Sequence, residues 1–154
     1  MICNSTPLIC LAKIGKLELL KKLFGSVIIP EEVENEVLIE GKEGYDMIKQ
    51  AIEEGLIKVH AIKKRLEFGL GKGENAAISL AHELKDKLIM DDAHAVRAAR
   101  VLGVEVFRTT SIVLMCIKKK IFDKKECLNV MNKLIEIGYY ISPRVYVKLV
   151  EGLK

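Results

Sequence analysis

Short apolar runs alternate with longer stretches of helical period along the whole chain, and this alternation restricts its fold more than any other feature. Met1-Ile2-Cys3, Val27-Ile28-Ile29, Leu56 to Ile62, Lys87 to Met90 and Val104 to Phe107 read as strands. The segments between them repeat apolar residues at spacings of three and four. Thr6-Pro7 reads as the N-cap and first residue of one helix. Pro30 opens another through about Ile39, with Glu31 and Glu32 complementing the dipole in its first turn. Further helices run from the Gly41–Gly44 break to about Glu54, from Glu74 to Leu84, and from Asp92 to Leu102, where Gly103 stops the last. Ser111 to Lys120, Asp123 to Ile137 and Pro143 to Leu153 complete the set. Strands joined through helices form a parallel sheet with helices on both faces. The expected fold is therefore α/β, a three-layer sandwich around a central, mostly parallel sheet. With 154 residues and no linker or repeat, the chain reads as one domain over 1–154, with the helices of 111–154 packed on it or appended to it.

Composition narrows the function classes. No apolar run approaches the roughly 20 residues that span a bilayer, and the N-terminus lacks the basic start of a signal peptide, so a cytoplasmic protein without membrane association is expected. The four cysteines, Cys3, Cys10, Cys116 and Cys127, show no C-x-x-C spacing and read as reduced thiols. Net charge is +4 but uneven: residues 1–77 carry 11 basic and 12 acidic side chains, and residues 78–154 carry the other 14 and 9. A basic second half suits a polyanion. Of the 25 basic residues 20 are Lys, and 16 of the 21 acids are Glu, a bias shared by thermophiles and AT-rich genomes.

Ligands of open α/β sheets sit beyond the carboxyl ends of the strands. Three strands end there in polar residues: Asn4, Asp91-Asp92 and Thr109-Thr110-Ser111. Helical spacing adds Glu36, on the stripe of Ile29, Val33 and Val37, and Glu74, in line with Ile78 and Ala81. Each has a plainer reading alone. Glu74 complements a helix dipole, Asp91 is an N-cap, and Ser5 and Thr6 cap the helix before Pro7. Glu36 resists such a reading, because a mid-helix acid on an apolar stripe faces inward and needs a partner. Several carboxylates converging without Arg, His or Cys point to an all-oxygen site for Mg²⁺ or Mn²⁺. An acidic metal pocket on a basic protein suits a phosphodiester substrate.

These residues resemble the PIN domain, a nuclease fold that includes the VapC-type toxins. N-S-T-P-L-I-C-L-A-K-I-G from Asn4 resembles the opening of a PIN subfamily of archaeal and bacterial proteins. I-P-E-E-V-E-N-E-V from Ile29 is similar to its second motif, with Glu36 as the acid, and G-K-G-E-N-A-A-I-S-L-A from Gly71 to its third, with Glu74. L-I-M-D-D-A-H-A from Leu88 is similar to the fourth, carrying Asp91 and Asp92, and the tail G-Y-Y-I-S from Gly138 also matches. The resemblance covers nearly the whole chain. It implies a PIN-like α/β/α sandwich, a Mg²⁺ or Mn²⁺ site and cleavage of single-stranded RNA. For toxin members it also implies a homodimer and an inhibiting antitoxin protein. Two departures stand out: Asn4 occupies the place of the usual Asp, and Arg108-Thr109-Thr110-Ser111 stands where Gly-Thr-x-Gly is the pattern.

The resulting expectation is a metal-dependent endoribonuclease, the toxin of a toxin–antitoxin pair. Glu36, Glu74 and Asp92 are its core metal ligands, assisted by Asn4 and Asp91. Ser5, Thr109 and Thr110 offer hydroxyls to water or phosphate. Lys118 and Lys119 offer cations to the RNA backbone, beside the plainer reading of a solvated helix face. The alternative is a PIN-fold module that binds RNA or a protein without cutting, which Asn4 favours. A receiver-like domain built on Asp91-Asp92 fits less well, since the pair comes late in the chain.

Overall fold

The computed structural model describes residues 1–153. Five strands, β1 (Ile2–Cys3), β2 (Val27–Pro30), β3 (Ile57–His60), β4 (Leu88–Ile89) and β5 (Val106–Phe107), form one sheet in the order β3-β2-β1-β4-β5. Every neighbouring pair is parallel, with Ile2 opposite Ile28 on one side and Leu88 on the other. The strands are short and, apart from the exposed Lys58 and His60 of edge strand β3, apolar on both faces: Ile2, Cys3, Val27, Ile29, Leu88 and Ile89 are all fully buried. That is what a parallel sheet covered on two sides requires.

Nine helices among the described residues cover it: α1 (Ser5–Lys13), α2 (Glu18–Phe24), α3 (Glu31–Val37), α4 (Tyr45–Glu53), α5 (Lys72–Leu84), α6 (Ala93–Val101), α7 (Thr109–Lys118), α8 (Lys124–Glu136) and α9 (Pro143–Gly152). β1, β2 and β3 step one way across the sheet, so the right-handed rule for crossovers carries the helices between them to one face, with α3 packed against both α1 and α5. The chain then reverses direction, so α5 and α6 take the other face, with α5 against β1, β2 and β4. α7 returns to pack on α2, and α8 packs on α7. Leu149 and Leu153 of the last segment join the same buried cluster as the sheet, so the C-terminal helices are packed onto the fold.

Several helix ends differ from the sequence expectation. Helix α1 begins at Ser5 with Asn4 as its N-cap residue, not at Thr6. Pro7 therefore sits at the third helical position, still among the first N–H groups that lack helical partners. Helix α3 stops at Val37, short of Ile39. Helix α5 begins at Lys72, ahead of Glu74, because the Glu74 carboxylate accepts a hydrogen bond from the Gly71 N–H at 3.1 Å and so closes the first turn. Strand β3 is confined to Ile57–His60.

Candidate functional site

The reversal between β1 and β4 is the topological switch point, where open α/β sheets bind ligands at the carboxyl edge. Cys3 pairs with Ile89, and the Asn4 N–H donates to the Ile89 carbonyl at 3.0 Å. Asn4 thus lies beside Met90 and close to the start of the Asp91-Asp92 pair. The edge is built from helix N-termini: α1 follows Asn4, α6 follows Asp92, and α7 follows Arg108. The N-terminus of α5 joins them through Glu36.

Each acid is held by a hydrogen-bond donor of the protein. Glu36 Oε1 accepts from the Gly73 N–H at 3.0 Å, and Oε2 from the Ser5 hydroxyl in a short contact. Ser5 Oγ also lies 3.5 Å from Asn4 Oδ1, linking Asn4 to Glu36. A Cβ on Gly73 would come within 2.4 Å of the Glu36 carboxylate, so the missing side chain is the cradle that admits Glu36. Asp92 Oδ1 accepts from the Ala95 N–H at 2.8 Å and is the N-cap of α6. Asp91 is the most enclosed of the pair and takes three donors: the Thr109 N–H (2.9 Å) and Tyr139 hydroxyl (2.6 Å) on Oδ1, and the Thr109 hydroxyl (2.6 Å) on Oδ2.

Those contacts correct the local readings of several residues. The cap is Asp92 and not Asp91, because Asp91 turns inward to α7. Ser5 and Thr6 do not cap α1; Ser5 instead holds Glu36. Glu36 is not sealed inside: the residue is exposed, and its carboxylate reaches the start of α5. The Thr109 hydroxyl is spent on Asp91, which leaves half-buried Thr110 as the neighbouring hydroxyl. Lys118 and Lys119 lie at the far end of α7 from Thr109, roughly 14 Å along the helix at 1.5 Å per residue, and are not brought to the acids.

Tyr139 is the residue that sequence reasoning missed. It belongs to the G-Y-Y-I-S tail, but nothing in the spacing connects it to Asp91 across 48 positions. Burial first, then the Asp91 charge, push its hydroxyl well above the ordinary tyrosine range, so it stays a donor. Burial and then Asp91 likewise raise the thiols of Cys3 and, to about 11, Cys10.

The fit to a divalent cation rests on the donor set. Asn4, Glu36, Glu74, Asp91 and Asp92 offer only oxygens, the ligands that Mg²⁺ and Mn²⁺ prefer. Among the described residues none of these acids forms an ion pair, whereas Glu32, Glu43, Asp86, Glu105 and Glu126 all do. The kind of donor fits. The arrangement is not ready-made: no three Asp, Glu, His or Cys side chains among the described residues are grouped as an ion site. Each carboxylate is parked on N–H or O–H donors, and a cation has to compete with them.

A parallel five-stranded α/β sheet with polar residues at the switch-point edge defines a PIN-like fold. The chain belongs to the PIN-domain family DUF3368, whose match runs over residues 1–154. Among solved structures it is similar to a PilT N-terminus domain protein from the hyperthermophilic archaeon Sulfolobus solfataricus P2, with a TM-score of 0.58 and 23% identity over 76% of this chain and 94% of that one. No curated protein matches the chain. No described helix is long and apolar enough to cross a membrane.

Proposed function

We propose that the chain is a metal-dependent endoribonuclease acting on single-stranded RNA. The observation that carries this reading is the set of carboxylates without cationic partners at the switch-point edge of a PIN domain. Glu36, Glu74 and Asp92 would hold Mg²⁺ or Mn²⁺, with Asn4 and Asp91 beside them. When bound, such an ion lowers the pKa of water toward neutrality and offsets charge developing on the phosphoryl oxygens. The chain's own residues set the geometry. Ser5 and Gly73 orient the Glu36 carboxylate, and Asp91 fixes the first turn of α7 through Thr109. The family resemblance also supports a toxin role, with an antitoxin protein as partner and a homodimer as the working unit.

The second reading, a module that binds RNA or a protein without cleavage, draws on Asn4, which brings no charge where an acid is usual. One experiment separates the two. Purified protein is incubated with single-stranded RNA in Mn²⁺ and in chelator, beside Glu36→Gln. Cleavage that needs Mn²⁺ and falls at least tenfold in the variant supports the nuclease. RNA that is bound but left whole in Mn²⁺ overturns it in favour of the binding module.

A further inference from the structure

The Asp91 contacts carry an inference that rests on the metal-site reading above. A carboxylate offers about four lone-pair directions. Three of them at Asp91 are filled, which leaves one, on Oδ2. Two of the donors belong to Thr109, the first residue of α7, and are part of the way that helix starts. The third comes from elsewhere. Tyr139 follows α8, where Gly138 adopts a φ of +90° and the Tyr139 N–H returns to the Leu134 carbonyl at 2.9 Å. This helix ending fixes the ring, and the ring delivers its hydroxyl to Asp91 Oδ1 at 2.6 Å. That length is typical of a charge-assisted O–H···O⁻ bond, and partial burial strengthens it.

We propose that Tyr139 is a positioning residue that restrains the candidate metal site by occupying Asp91 Oδ1 and so lowering the cation affinity of that carboxylate. A cation that approaches through Oδ1 needs the lone pair that the Tyr139 proton fills, and the one open direction, on Oδ2, belongs to a carboxylate whose charge that bond already draws on. The hydroxyl cannot turn to bulk water without giving up a largely buried partner, so it competes for as long as the C-terminal segment stays docked. The donors to Glu36, Glu74 and Asp92 are backbone N–H groups of helix starts, together with Ser5. Tyr139 is the donor that reaches the edge from beyond α7, so it couples the seating of α8 and α9 to the acids. The alternative role for the same contact is a plain strut, and the two roles differ in sign. A strut that is removed leaves Asp91 looser and cation affinity equal or weaker. A competitor that is removed makes the affinity stronger.

The test is Mn²⁺ titration by calorimetry on the full chain, with chelator melts to confirm folding. Wild type, Tyr139→Phe, Asp91→Asn and the double variant are compared. Loss of one competing charge-assisted bond should tighten Mn²⁺ binding about tenfold in Tyr139→Phe. The gain should vanish in the Asp91→Asn background, because there is no carboxylate to release. Tyr139→Met fills similar space without a hydroxyl and should show the same gain. A folded Tyr139→Phe or Tyr139→Met protein with unchanged or weaker Mn²⁺ affinity overturns the proposal, as does a gain that survives Asp91→Asn. If wild type binds Mn²⁺ and only the tyrosine effect is missing, the proposal alone fails. If no version binds Mn²⁺ and RNA stays intact, the nuclease reading fails and the proposal with it.

Discussion

Gly73→Ala is the sharpest probe of how Glu36 is held. Alanine is usually the better helix residue, by about 1 kcal/mol in a helix interior and about 0.4–1 kcal/mol through the unfolded chain. Here the new Cβ would lie 2.4 Å from both Glu36 oxygens and 2.6 Å from Cδ, closer than atoms can approach. The obstacle is the end of a flexible side chain, so Glu36 swings away and the backbone stays. What is lost is the hydrogen bond from the Gly73 N–H, at 3.0 Å to a charged acceptor. Such bonds contribute about 1.5–3 kcal/mol. Subtracting the alanine gain leaves a net destabilisation of about 1 kcal/mol. In a Glu36→Ala background the clash and the bond are both absent, and Gly73→Ala should stabilise by about 0.5 kcal/mol. The pair should therefore couple by about 1.5 kcal/mol in a double-mutant cycle, read from urea unfolding in chelator. A Gly73→Ala protein more stable than wild type would refute the reasoning, because it would mean that Glu36 does not occupy the space above α5.

Other outcomes follow from the same contacts. Asp92→Ala should lose the α6 cap and about 1 kcal/mol of stability, while Asp92→Asn, an equally good cap, should melt near wild type yet lose Mn²⁺-dependent RNA cleavage; this separates the cap from the charge. Asn4→Asp adds a charge at a site only 4% exposed, so it should lower the melting temperature in chelator and recover it in Mn²⁺. Thr109→Val keeps the shape but removes one Asp91 donor, and should cost about 1–3 kcal/mol in urea unfolding. Burial raises the thiols of Cys10, Cys116 and Cys127 to about 11 from 9.0. Folding then favours the protonated form, and the unfolded chain holds fewer protons between these values. Stability should fall as pH rises from about 9 to about 11 in melts under reducing conditions; a flat profile there would contradict the buried thiols.

The sheet was legible in the sequence because two-sided burial leaves a plain mark. Ile2-Cys3, Leu88-Ile89 and Val106-Phe107 are apolar at consecutive positions, and the segments between them carry helical period. Helix starts were less legible where a rule for one residue competed with a contact from another. Pro7 suggested a start at Thr6, yet Asn4 takes the cap position and Pro7 is accommodated within the first turn. The neighbours Asp91 and Asp92 look interchangeable as a string. What separates them is Thr109 and Tyr139, 18 and 48 residues away, and no local pattern encodes that pull. Ser5 was hidden in the same way: its cap-like position pointed to a backbone partner, whereas Glu36, 31 residues on, takes its hydroxyl.

The central place of β1 also matters for how the chain is made. Residues 2–60 contain β1, β2 and β3, so three of the five strands can pair before the rest has left the ribosome. In that interval the side of Ile2-Cys3 that later meets Leu88-Ile89 is an open, apolar edge. An unpaired apolar edge can template pairing with another chain, a hazard that the two-residue length of β1 limits. Some thirty residues, including all of α5, must be synthesised and folded across the opposite face before β4 can fill the gap. The interval before β4 arrives is thus the one in which a partly made chain shows this edge, and pausing there would lengthen that exposure.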